Sequence, residues 1–81
     1  MRKLENTMVD KFVVRSSFGS DDFGDVSYVS ERGALQHVSR LLNEHGSSLK
    51  VEIFLNEQSP AMWSAKRISD WNKDGRPDLA V

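Results

Sequence analysis

The chain has 81 residues, 38% of them hydrophobic, and 11 basic against 12 acidic residues give a formal net charge of −1. This length allows one hydrophobic core. The sequence contains no cysteine, which excludes disulfide bonds and thiolate metal sites. A near-neutral chain lacks the broad positive field of a general nucleic-acid binder. No apolar run reaches the roughly 18 residues of a membrane span, and the N-terminus has no continuous apolar signal segment. We therefore expect a cytoplasmic protein.

The first part of the chain predicts a β-hairpin. Residues 1–10 show no periodicity and are expected to form a flexible N-terminus, followed by a single domain over residues 11–81. The run KFVVRSSF, residues 11–18, alternates like a β-strand. The glycine-flanked loop GSDDFG follows, and DVSYV, residues 25–29, indicates a second strand. Phe23, in the acidic loop, is expected either to fold back on the sheet or to be an exposed contact residue.

The middle of the chain predicts an amphipathic helix followed by a strand. Ser30 is a suitable N-cap, and Gly46 suits the position after the helix C-terminus. Apolar residues between them recur at helical spacing. The run SSLKVEIFL, residues 47–55, alternates as a third strand. The order ββαβ predicts an α+β domain with the helix across one face of the sheet. The predicted core is Phe12, Val14, Leu35, Val38, Leu42, Val51, Ile53 and Leu55.

The last third of the chain is compatible with two structures. Ser59 and Pro60 would make a good N-cap and first helical residue, so that a C-terminal helix would run through the tryptophan-containing segment that follows. The same residues, MWSAKRISDW, also alternate like a strand, with a hairpin turn at Asp74–Gly75 and a last strand PDLAV. We favour the helix because of the Ser-Pro start.

The C-terminal stretch DWNKDGRPDLAV has the spacing of a calcium loop. Alternate side chains of a tight loop converge on one point, and their oxygen atoms suit a hard cation. The stretch resembles the D-x-N-x-D-G-x-x-D-L loops of FG-GAP and related calcium-binding repeats, over 12 of 81 residues. The resemblance implies Ca²⁺ bound by Asp70, Asn72, Asp74, the backbone carbonyl of Arg76 and Asp78. A solvated turn or helix cap is the alternative interpretation.

Aromatic and basic residues are interleaved in the same part of the chain. Trp63 and Trp71 lie eight residues apart, and on one helix their indoles would share a side. Aromatic and arginine side chains are frequent in contact hot spots, so we predict a surface that binds a protein partner. Stacking on single-stranded nucleic acid is a second alternative, although the nearby acidic residues would repel phosphates. The candidate binding residues are Trp63, Lys66, Arg67, Trp71 and Arg76.

No sequence signature of catalysis is present: the chain has neither a G-x-S-x-G nucleophile elbow nor a phosphate-binding glycine loop. The leading prediction is a small non-enzymatic interaction module, without a cofactor, that binds a protein partner through residues 59–76 and an edge strand. Exposed sheet edges also allow homodimerisation. A calcium-binding domain is the first alternative.

Overall fold

The computed structural model describes residues 10–77 and 79 of the chain. It is an α+β domain with the predicted ββαβ order and a short C-terminal helix, built on a three-stranded antiparallel sheet of order β2-β1-β3. No helix of this described part is long and apolar enough to cross a membrane. Apart from Asp10, the predicted flexible N-terminus lies outside the described residues. The elements are β1 (Phe12–Phe18), β2 (Asp21–Tyr28), α1 (Glu31–His45), a 3-10 turn (Gly46–Ser48), β3 (Lys50–Leu55) and α2 (Ala65–Lys73).

The predicted hairpin is present, but its loop is shorter than expected. Only Gly19 and Ser20 connect the strands, and β2 begins at Asp21, within the predicted loop. Gly19 has φ +62°, which suits the first central position of a tight hairpin turn. The second glycine of the loop, Gly24, lies at a β-bulge with φ +75°. The bulge makes Phe23 an extra residue in β2 and explains how glycine occurs inside a strand.

Helix α1 has the caps and the buried stripe that the sequence predicts. The Ser30 hydroxyl accepts a hydrogen bond from the Gly33 amide at 3.0 Å, and the Gly46 amide donates to the Leu42 carbonyl in a backbone of φ +76°. The stripe packs mainly over β1. Its buried members are Ala34, Leu35, Val38 and Leu42.

Six of the eight predicted core residues are buried. Phe12 is half-buried against that core, and Leu55 is half-buried. Burial falls from one edge of the sheet to the other. Ile53 of β3 and Val14 of β1 pair in one cross-strand row and are fully buried, whereas Val26 of β2, in the same row, is 37% exposed. The core therefore lies under β1 and β3, and β2 extends beyond it.

The C-terminal helix is present, but it does not begin at Ser59–Pro60. Helix α2 begins at Ala65, and the Ser64 hydroxyl caps it by accepting from the Arg67 amide at 3.1 Å. The preceding segment cannot be helical because Trp63 pairs with β3: its amide and carbonyl each bond to Ile53 at 3.0 Å. The helical prediction is thus correct for residues 65–73, and β-pairing occurs only at residue 63.

Candidate functional site

The two tryptophans of the predicted contact surface are part of the core. Trp63 is 6% exposed and Trp71 is 5% exposed, and their rings meet edge-to-face at 5.9 Å. Each indole N–H is satisfied internally: Trp63 donates to the Glu31 carboxylate at 2.7 Å and Trp71 to the Pro77 carbonyl at 2.8 Å. The indoles meet as the spacing suggested, although Trp63 precedes the helix. Neither presents an open ring face to a partner or a nucleic-acid base.

The basic side chains at the start of α2 are exposed and engaged locally. Arg67 lies over the Trp63 ring at 3.9 Å and donates to the Met62 carbonyl at 2.9 Å. Lys66 bonds to Asp70 at 2.9 Å, one helical turn away. This bond lowers the pKa of Asp70 and raises that of Lys66. An exposed ion pair of this kind adds little to stability. The side chains of Lys66 and Arg67 are both accessible to solvent.

Arg76, also predicted as a binding residue, connects the two helices. Its Nε donates to the Asn72 side chain in α2 at 2.7 Å. Its Nη1 donates to the Ser39 hydroxyl at 2.6 Å and to the Asn43 side chain at 2.9 Å, both in α1. The planar guanidinium suits such a fork of acceptors. The half-buried side chain therefore holds the C-terminal segment against α1.

The predicted calcium ligands do not share one loop in the described residues. Asp70 and Asn72 lie within α2, where they bond to Lys66 and Arg76 respectively, and Asp74 is the C-cap. Asp78 lies outside the described residues. Within residues 10–77 and 79, no group of three His, Cys, Asp or Glu side chains could hold a metal ion. Calcium binding by this stretch stays a prediction.

Strand β2 forms the most exposed surface of the sheet. Seven of its eight residues are exposed, and Tyr28 is half-buried. Three large hydrophobic side chains stand out as exposed in the described part of the chain: Phe23 at 39%, Val26 at 37% and Val29 at 77%. All three belong to β2 or follow it directly. Solitary exposed apolar residues are common on proteins, but their concentration on one element is typical of a contact surface.

The two edges of the sheet differ in how they are covered. The outer edge of β3 is paired with Trp63, and α2 packs beside it. The outer edge of β2 has no neighbouring strand. Among the described residues, no backbone hydrogen bond outside the β1–β2 ladder involves residues 21–28. One amide of this stretch, that of Gly24, donates to the Asp22 carboxylate at 2.8 Å. Among the described residues, the β2 edge is thus unpaired along its length, whereas the β3 edge is paired at Ile53.

Two histidines of α1 support the side chains of β2 that face the helix. His45, which the sequence places in the last turn of the helix, stacks on Phe23 with a centroid distance of 5.1 Å. His37 contacts Tyr28 at 5.4 Å. Partial burial, with a smaller contribution from Arg40, lowers the pKa of His37. These contacts fix one side of the open edge without covering it.

The opposite side of the sheet is charged. Arg15 of β1 donates to both carboxylate oxygens of Asp25 in β2, at 3.0 and 3.1 Å, and lies over the Phe54 ring at 4.7 Å. The bond to Arg15 lowers the pKa of Asp25, so the carboxyl stays ionised. Strand β2 carries three aspartates and no basic residue. The open edge is therefore apolar toward α1 around Val26, whereas Asp22 and Asp25 make the other side acidic. Asp21 lies on the α1 side at the turn, opposite Phe18.

A groove of about 570 Å³ lies where the hairpin turn meets the start of β3. Its charged lining residues have both signs: Arg15 and Lys50 stand against Asp21, Asp22 and Glu52. Serines and carboxylates line it, but no histidine or cysteine does. The lining thus offers serine hydroxyls without an imidazole base beside them.

Comparison with protein families, curated proteins and solved structures finds no match for this chain.

Proposed function

We propose that this domain is a non-enzymatic protein-binding module whose β2 edge pairs with an extended segment of a partner protein. The supporting observation is the coincidence of an open strand edge with all three exposed large hydrophobic side chains of the described residues. Backbone hydrogen bonds supply affinity in such strand addition, and pockets for alternate side chains supply specificity.

The apolar contact would form on the side of β2 that faces α1. Val26 lies opposite the buried Val14, and Tyr28 lies opposite Phe12. A strand paired with β2 would extend this row outward and cover Val26 and Phe23. Cross-strand neighbours lie about 5 Å apart, within reach of a valine or leucine side chain. The rigid sheet and α1 preorganise this surface, which lowers the entropic cost of binding.

A partner protein suits this edge better than a second copy of the chain. If two β2 edges paired antiparallel, Asp22 and Asp25 of both copies would lie on one face of the joined sheet. Like charges in such neighbouring positions are destabilising. Acidic side chains on an edge strand are also a known means of preventing self-association. The edge therefore accepts a different segment.

The test is an NMR titration with an acetylated and amidated heptapeptide of alternating lysine and valine. We expect saturable amide shifts at residues 21–28 and slower hydrogen exchange on this strand. The control is the same peptide with N-methylated lysines. Because Ile53 bonds to Trp63, Val14 bonds to Val26, and the backbone groups of β2 that face outward are those of Asp25 and Ser27. Lysines would lie opposite these two residues, so their N-methylation removes the backbone donors to the edge and should prevent binding. Equal shifts with both peptides, or no shift up to millimolar peptide, would overturn the proposal.

A further inference from the structure

We infer that the partner segment alternates apolar side chains with basic ones, an inference that rests on the proposed strand addition at β2. Opposite residues of paired strands project to the same face of a sheet. The side chains of β2 therefore specify, position by position, what a paired segment should carry.

On the α1 side, the required side chains are apolar. Val26 continues the buried row of Ile53 and Val14, and Phe23 stacks on His45. A charged partner residue opposite Val26 would face a valine beside an aromatic ring and would lose part of its hydration. The carboxylate on this side, that of Asp21, lies at the turn, opposite Phe18. Valine, isoleucine or leucine would remove more apolar area from water.

On the opposite side, the required side chains are basic. Asp22 lies across from Ser17 and Asp25 across from Arg15, so both carboxylates project to this side. Arg15 lies one strand farther from the edge than Asp25. A partner residue would thus meet the carboxylates first. Lysine or arginine would form cross-strand ion pairs with them.

The bulge would limit sliding of the partner segment. Gly24 and Phe23 interrupt the regular spacing of the edge, and the Gly24 amide is already bonded to Asp22. Bulges pin strand register. A one-residue slip would exchange the two faces of the partner and place its basic side chains against Val26. The alternation is therefore expected to be selective.

The experiment compares three heptapeptides in which valine alternates with lysine, glutamine or glutamate. Dissociation constants are measured from β2 amide shifts at low ionic strength. We expect the lysine peptide to bind about two- to fivefold more tightly than the glutamine peptide for each aspartate it meets. The glutamate peptide should bind most weakly. Added salt should reduce these differences because the charges are exposed.

Variants of the chain test which carboxylates cause the preference for the lysine peptide. Asp22→Asn should reduce the preference for the lysine peptide. Asp25→Asn should reduce this preference more than Asp22→Asn does, because it also leaves Arg15 without its counter-charge. Glu52→Gln is the matched control: it removes the same charge from the same sheet face, two strands from the β2 edge. It should leave the preference unchanged. Tryptophan fluorescence checks that each variant is folded.

The outcomes separate this inference from the proposed function. If the three peptides bind with equal affinity, strand addition stands and the basic alternation is overturned. If Glu52→Gln weakens lysine selectivity as much as Asp22→Asn does, the assignment to the β2 edge is overturned. If none of the three peptides binds, both the strand addition and the inference fail.

Discussion

Replacing Arg76 by alanine should destabilise the domain, because this side chain joins the C-terminal segment to α1. The variant loses three hydrogen bonds of 2.6–2.9 Å from a charged donor to Asn72, Ser39 and Asn43. Bonds to a charged group contribute about 1.5–3 kcal/mol each. Arg76 is only half-buried, so water replaces part of what is lost. We expect a total loss of about 2–3 kcal/mol in the free energy of unfolding.

Urea unfolding followed by tryptophan fluorescence measures this loss, since both indoles are buried and report on the core. With a denaturant slope of about 1 kcal/mol/M, the midpoint should fall by about 2–3 M. Arg76→Lys should lie between the wild type and Arg76→Ala, because it keeps the charge and loses the planar fork. Lys73→Ala is the control, an exposed basic residue of α2, and should leave the midpoint unchanged. If Arg76→Ala is as stable as Lys73→Ala, the structural role assigned to Arg76 is wrong.

Three further predictions concern pH, the open edge and calcium. Because the pKa of His37 is lowered in the folded state, the stability that His37 contributes is present above its unfolded pKa of about 6.5 and is lost as pH falls through the folded value. Urea midpoints between pH 7.5 and 5.5 should therefore decline, with a flatter profile in His37→Gln; identical profiles would contradict this. Val26→Ala should weaken binding of the lysine–valine peptide about threefold with little change in stability. The same substitution at the buried Val14 should lower the free energy of unfolding by about 2 kcal/mol, and equal stability losses would refute the burial difference between the two strands. If the C-terminal stretch binds Ca²⁺, the amides near Asp74 should shift saturably with Ca²⁺ but not with Mg²⁺, and Asp74→Ala should abolish the response; no shift up to millimolar Ca²⁺ would exclude the site.

The sequence predicts the parts of the fold whose signals are local. The α1 helix has a serine N-cap, a terminal glycine and an uninterrupted apolar stripe, and all three have the predicted roles in the structure. The hairpin and β3 follow from simple alternation. The end of the first turn is harder to predict, because Gly24 looks like a loop residue and lies at a bulge within β2.

Long-range contacts decide the remaining features. Trp63 pairs with Ile53, ten residues earlier, and this pairing displaces the start of α2 from Pro60 to Ala65. The Arg76 guanidinium donates hydrogen bonds to Ser39 and Asn43 of α1, more than 30 residues away in the sequence. No periodicity of the C-terminal segment encodes either contact. The sequence therefore predicts the tryptophans as contact residues, whereas the structure buries them.

The candidate site also depends on contacts that local sequence patterns do not predict. The sequence marks Phe23 as an unusual aromatic residue and allows either an exposed or a sheet-packed position. It is partly exposed and stacked on His45. An exposed edge strand was predicted without its identity, because strand order depends on how α1 crosses the sheet. Since β3 is paired with Trp63, the open edge falls to β2.

The most direct test of strand addition is the position of the bound lysine–valine peptide. Intermolecular nuclear Overhauser effects are measured between the unlabelled peptide and the isotope-labelled domain. We expect a ladder of contacts between peptide α-protons and the backbone of residues 24–28, with peptide valines near Val26. Contacts that cluster instead on Lys66 and Arg67 of α2, or on the exposed side of β3, would contradict it.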